Sequence, residues 1–155
     1  MKKRYLRMSL LILMIIIIDQ AIKLFIVNQN EILSSTKINF VQNFGGAFEI
    51  GGNSTLFFVL VNVVVLGIII KFILCQKDRI DKKTLASFTL ILSGGFSNLI
   101  DRIVRGYVVD YIDITSIFNF PVFNIADVCV VIGCIMLFLC ITIYWYNEVR
   151  ITSKQ

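Results

Sequence analysis

Four carboxylates inside or beside long apolar runs constrain this chain more than anything else in it. Asp19, Asp101, Asp110 and Asp127 all fall within or next to stretches that otherwise read as membrane spans. A carboxylate at membrane depth costs roughly 2.5–3.5 kcal/mol on insertion scales, and far more in some simulations. Four of them imply use, provided that they converge on one place. The runs cover about 8–27, 55–74, 84–100 and 127–146. Each approaches the roughly 20 residues that a helix needs to cross the hydrocarbon core, and the third is expected to extend by a turn to about 103. With 155 residues and 57% hydrophobic content, the chain is too apolar for an ordinary soluble domain and long enough for one compact unit. The expected fold is an all-α membrane protein: one domain over 1–155, four transmembrane helices, and a small extracellular β-sheet between helices one and two.

Orientation follows from the basic residues of the short loops. Lys2, Lys3, Arg4 and Arg7 precede the first span, Lys77, Arg79, Lys82 and Lys83 lie between the second and third, and Arg150 and Lys154 follow the fourth. The loops at 28–54 and 104–126 are poor in them. Both termini and the middle loop are therefore expected in the cytoplasm. The first run is read as a retained helix and not a cleaved leader, because Asp19, Gln20 and Lys23 stand where a small-residue cleavage site would lie. On this topology Asp19, Lys23, Asn43, Asn98, Asp101, Arg102, Asp110, Asn124 and Asp127 all reach the outer boundary. In the first outer loop, 39–41 and 47–50 read as short strands about Gly45-Gly46.

The chain has no histidine, so acid–base chemistry falls to Asp, Glu, Lys, Tyr or Cys. Its four cysteines form no C-x-x-C pair and read first as core-packing side chains, with a redox or zinc role as the lesser reading. No nucleic-acid motif is present. Asp110 and Asp127 come from different elements, a loop and a helix start, so they can face each other across a cleft. Two adjacent carboxylates share one proton, and such a pair can activate water while protonating a carbonyl oxygen or a leaving amine. Blander readings stand beside this one. Asp127 fits a capping box with Asn124, and Asp110 is also readable as a solvated loop acid, with Asp113 as the next candidate. Asp101 and Arg102 read as a structural ion pair. Asp19 and Lys23, four apart, read as a pair on one helix face. Asn98 reads equally as a bond between helices or as an orienter of an acid. A proton-coupled transporter or channel subunit is the competing class, but the acids gather at one face and do not step across the bilayer.

These residues together resemble the lipoprotein signal peptidases, the type II signal peptidases of bacteria. The resemblance is carried by Asp19-Gln20-x-x-Lys23, Asn43-Phe44-Gly45-Gly46-Ala47-Phe48, Asn98-Leu99-Ile100-Asp101-Arg102, Gly106-Tyr107-Val108-Val109-Asp110-Tyr111 and Phe123-Asn124-Ile125-Ala126-Asp127, in order along nearly the whole chain. It departs from the family pattern at Ser97, where Gly is usual, and at Gly46, where Ala is usual. The resemblance implies an intramembrane aspartic endopeptidase of the bacterial cytoplasmic membrane with Asp110 and Asp127 as the catalytic dyad. Asp19, Lys23, Asn43, Asn98, Asp101, Arg102, Asn124 and Ala126 are implied as supporting residues. Implied too are cleavage just before the diacylglyceryl-modified cysteine of a prolipoprotein, contact with membrane lipids, no metal or organic cofactor, and a monomer. A first outer loop closing over the peptide through Phe48 completes the expectation.

Overall fold

The computed structural model describes residues 2–29, 40–45 and 54–152. Four helices run over the four apolar stretches: α1 (Lys2–Asn28), α2 (Thr55–Cys75), α3 (Lys82–Val104) and α4 (Ile125–Thr152). Two short strands, β1 (Val41–Asn43) and β2 (Val108–Asp110), stand at the end of the bundle where α1 and α3 finish and α4 starts.

The helices α1, α2 and α4 are long and apolar enough to cross a membrane, whereas α3 does not reach that apolarity. The reason is packing. The helix α3 lies at the centre, against each of the other three, and buries most of its length from Leu85 to Asp101. A central helix needs no greasy exterior, so it can carry serine, threonine, asparagine and aspartate. Its hydroxyls are satisfied locally: Ser87, Thr89 and Ser93 each donate to the carbonyl four residues back. At 23 residues it is about 34 Å long at the usual helical rise, still enough for a bilayer core. The outer helices do the reverse and turn large side chains such as Leu13, Leu60 and Phe138 outward.

Caps fix the helix starts. Asp81 accepts from the Lys83 and Thr84 backbone N–H groups at the start of α3, and Ser54 accepts from Phe57 at α2. At the other end of the bundle from the strands, Arg4 donates to the Ile80 and Asp81 carbonyls at 2.6 and 2.8 Å. The N-terminus and the α2–α3 loop therefore share one end.

The described residues show a strand pairing that the sequence did not suggest. The strand β1 pairs antiparallel with β2 from the second outer loop, with Val41 opposite Asp110 and Asn43 opposite Val108. The expected second strand at 47–50 lies outside the described residues. Burial explains the choice of partner: Val108 and Val109 are almost wholly buried, and a buried strand must pair its backbone. Gly106, at a φ of 81°, makes the turn from α3 into β2 that a residue with a side chain rarely adopts.

Candidate active site

The pairing of β1 with β2 brings Asn43 beside Asp110. Asn43 Nδ2 donates to Asp110 Oδ2 at 2.9 Å, and Asn124 Nδ2 donates to Asp110 Oδ1 at 2.6 Å. Asp127 is held by the cap of α4. Its backbone N–H donates to Asn124 Oδ1 at 2.9 Å, while the Asn124 backbone N–H donates to Asp127 Oδ2 at 3.1 Å. That is the capping box of the sequence, and the same asparagine uses its free amide hydrogens on Asp110. A third asparagine completes the arrangement: Asn98 Nδ2 donates to Asp127 Oδ1 at 2.7 Å. Capping and acid placement are thus one structure and not rival readings.

Both acids line one cleft of about 1160 Å³, together with Asn43, Asn98 and Arg102. Asp110 is pushed up to about 6, first by burial and also by the nearby charge of Asp127, against the opposing bonds from Asn43 and Asn124. Asp113 behaves otherwise. It is exposed, accepts from the Thr115 backbone N–H at 2.8 Å, and is held below its ordinary value by that partner. It belongs to a loop turn outside the cleft.

Behind the pair sits a buried charged layer. Lys23, with no exposed surface, contacts Asp19 and Asp101, each at 2.8 Å, and donates to Asn98 Oδ1 at 2.9 Å. Asp101 is further bound by Arg105, by Gln20 Nε2 at 2.9 Å and by the Val109 backbone N–H at 3.2 Å. Asp19 accepts from Ser97 Oγ at 2.6 Å and from the Ala126 backbone N–H at 3.3 Å. Two cations and two anions leave the layer neutral, the condition under which buried charges are tolerated. Asp19 and Lys23 pair as their spacing suggests, with Asp101 joining them from α3.

Asp101 does not pair with Arg102. Successive helical residues point about 100° apart and do not face each other. Arg105, one turn on, takes the partner role. Arg102 instead reaches the Gly45 carbonyl at 2.9 Å and lies over the Phe58 ring, 5.3 Å from its centroid. Its Nε is buried with no partner among the described residues. Phe48 lies outside the described residues.

Sequence reasoning missed Gln20, Ser97, Arg105 and Tyr111 as network members. Tyr111 Oη donates to Asp19 Oδ1 at 3.4 Å, and burial followed by the Asp19 charge pushes its phenol above the usual range. Gln20 and Tyr111 fell inside motifs already singled out. The signal for Arg105 was its i,i+4 spacing from Asp101.

The chain resembles known proteins along most of its length. The family model for signal peptidase (SPase) II matches residues 11–143. The lipoprotein signal peptidase of Halothermothrix orenii is 36% identical over 146 residues, covering 90% of this chain and 95% of that protein. That of Streptococcus agalactiae is 35% identical over 143 residues, covering 88% and 90%. A bacterial membrane enzyme solved by the in meso method at 2.3 Å superposes with a TM-score of 0.78 at 26% identity, covering 92% of this chain and 91% of that one. A second, at 1.9 Å, gives 0.68 at 25% identity over 87% and 92%. With the family model matching most of its residues, and with relatives above a third identical across nearly their whole length, the chain belongs to the signal peptidase II family.

Proposed function

We propose that this protein is an aspartic endopeptidase that removes the signal peptide of bacterial prolipoproteins, cutting on the N-terminal side of the diacylglyceryl-modified cysteine. The observation that supports it most is the convergence of Asp110 and Asp127 on one cleft, each oriented by asparagine amides. All four helices cross the cytoplasmic membrane in a single domain, with both termini in the cytoplasm and the cleft near the outer face. The basic ends and the shared end of Arg4 and Ile80 agree with that orientation.

The reaction needs one proton on the pair. The ionised carboxylate takes a proton from water as the water oxygen bonds to the scissile carbonyl carbon. The protonated carboxyl gives its proton to the carbonyl oxygen, forming a tetrahedral diol. When the diol collapses, one hydroxyl returns its proton to a carboxylate, the C–N bond breaks, and the departing amine takes a proton from the other carboxyl. The carboxyls end as they began. Water is activated by carboxylate alone, so no metal ion enters the scheme. Arg102, with Nε left over, is placed to hold a peptide carbonyl.

The test is a gel-shift cleavage assay on a lipidated prolipoprotein in detergent, with Asp110→Asn and Asp127→Asn each checked for folded yield. Both variants are expected to lose roughly 10²–10⁴-fold or more in rate, the range of general acid–base catalysis. A folded variant that cuts at the wild-type rate removes its acid from the dyad.

A further inference from the structure

The segment that joins the two acids is itself an ordered hairpin. Its stem is closed by Ile112 and Phe123, which exchange backbone bonds at 2.7 and 3.1 Å, with Tyr111 N–H also on the Phe123 carbonyl at 3.0 Å. Its turn is closed by Ile117 and Phe118, whose N–H groups both reach the Ile114 carbonyl, at 2.9 and 3.0 Å. Asp110 lies just before the stem and Asp127 just after it, so the hairpin's position bears on both.

The tip is apolar and outward. Ile117 is 73% exposed and Phe118 67%, although the turn around them is well bonded. Neither lines the cleft. Exposed polar residues, Thr115, Ser116 and Asn119, flank the pair, so the apolar surface is the two large side chains themselves. Exposed apolar groups held rigidly outward mark a contact surface. Part of the hairpin shares a cleft with α4. Ile114, Phe120 and Phe123 line the same cleft as Val131 and Ile132, which sit a turn or more deeper than Asp127 on a largely exposed apolar flank. From Gly106 to Val149 the chain has no Lys or Arg, so nothing in the hairpin attracts anionic headgroups.

We propose that the Ile117–Phe118 tip inserts into the lipid surface on the acid-bearing side of the membrane, an apolar anchor that fixes the depth of the segment between Asp110 and Asp127. The occupant is lipid because the exposed pair belongs to a hairpin whose Ile114 and Phe120 share a cleft with the exposed apolar residues Val131 and Ile132 of α4, and this rests on the reading that α4 crosses a bilayer. Insertion is driven by apolar burial and gains nothing from anionic headgroups, since the exposed charge of the hairpin is the carboxylate of Asp113.

The chain has a single tryptophan, Trp145, so one reporter can be installed at a time. Phe118→Trp in a Trp145→Phe background is reconstituted into phosphatidylethanolamine–phosphatidylglycerol vesicles and into phosphatidylcholine vesicles, each with and without bromine on the acyl chains. Phe138→Trp in the same background, on the outward flank of α4, reports whether that helix is in lipid. The expected result is blue-shifted emission at position 118, quenched by brominated lipid, protected from aqueous iodide, and equal in both vesicle types. Quenching by iodide and not by bromine at 118, with 138 quenched by bromine, overturns the anchor while leaving the spanning reading intact. Failure at both positions overturns both. Protection from both quenchers that depends on the protein-to-lipid ratio overturns the lipid assignment in favour of a second copy. As a functional arm, Ile117→Ser with Phe118→Ser is expected to slow cleavage of a vesicle-embedded precursor several-fold, with a smaller loss in detergent, where no bilayer sets depth. Equal loss in both media overturns the depth-setting role.

Discussion

Replacing Gly94 with alanine is the substitution that best tests whether the acids are held by close packing. A Cβ built at Gly94 falls 2.1 Å from the Ala126 carbonyl oxygen and 2.8 Å from Val130 Cγ2. Ordinary carbon–oxygen contacts begin at about 3.3 Å, so α3 and α4 must separate locally by roughly 1 Å. Backbone cannot swing aside as a side chain can. Ala126 precedes Asp127, and Asn98 stands one turn beyond Gly94 on α3, so the same displacement lengthens the 2.7 Å bond from Asn98 to Asp127 past useful range. Overpacking costs typically about 1–3 kcal/mol in stability, and an ångström of misplacement in a catalytic group can cost ~10²-fold in rate. Gly95→Ala is the matched control. Its Cβ meets Leu66 Cδ2 at 2.7 Å, the far end of a flexible side chain, which can rotate away. Gly67→Ala meets nothing within 4 Å. The assay is cleavage of a lipidated precursor in detergent, with kcat and KM separated and thermal unfolding followed in parallel. Gly94→Ala is expected to lower kcat about 10²-fold with KM little changed, Gly95→Ala to lose far less, and Gly67→Ala nothing. Wild-type kcat in folded Gly94→Ala would refute the argument that this contact sets Asp127.

Three further outcomes follow from the charges. Lys23→Met leaves Asp19 and Asp101 buried with one fewer cation, and removing one partner of a buried pair costs about 3–5 kcal/mol. A fall in folded yield or in melting temperature is expected, whereas unchanged melting would show that water or protonation replaces Lys23. In the pH profile of kcat/KM, the pair titrates as a unit whose proton is retained to about pH 6, where Asp110 is pushed by burial. Its protonated fraction falls with rising pH, so kcat/KM is expected to fall above about pH 6. The limb for kcat should lie higher, because bound substrate removes further water. The same raised value has a stability consequence. The contribution is fully present below the unfolded carboxylate value near 4 and lost as pH rises through 6. Asp110→Asn should therefore flatten the decline in melting temperature across that window, and a kcat/KM that climbs from pH 6 to 8 would sink the proton assignment.

The four helices and the gathering of polar groups at one end were legible because each rests on composition. Long apolar runs and basic loops are local signals. The capping box was legible for the same reason, since Asn124 and Asp127 are three residues apart. The β1–β2 pairing was not, because it joins residues more than sixty positions apart. Arg102 was misread for a geometric reason: adjacency in sequence suggested a pair that a helix forbids. Ser97 stands out in the sequence only as a departure from the family's glycine, yet its hydroxyl supplies one of the bonds to Asp19. The polar content of α3 lowered its apparent fitness as a span, although that content reflects its central position.

What touches the two acids explains why a charged layer stands behind them and not against them. The side-chain donors to Asp110 and Asp127 are the amides of Asn43, Asn98 and Asn124. Lys23 reaches the Asn98 carbonyl oxygen instead. An ammonium in direct contact would hold one carboxylate ionised and would oppose the exchange of roles that the proposed mechanism demands. An amide donates to either protonation state without adding a full charge. The lysine still has a task. By engaging Asn98 Oδ1 it fixes which way that amide faces, so that Nδ2 must point at Asp127. Asn124 is fixed likewise, because its Oδ1 is taken by the Asp127 backbone N–H and its Nδ2 is left for Asp110. The buried ions thus orient neutral donors, and the neutral donors orient the acids. Lys23→Met should therefore disturb the pH profile through the loosened Asn98 even where the protein still folds.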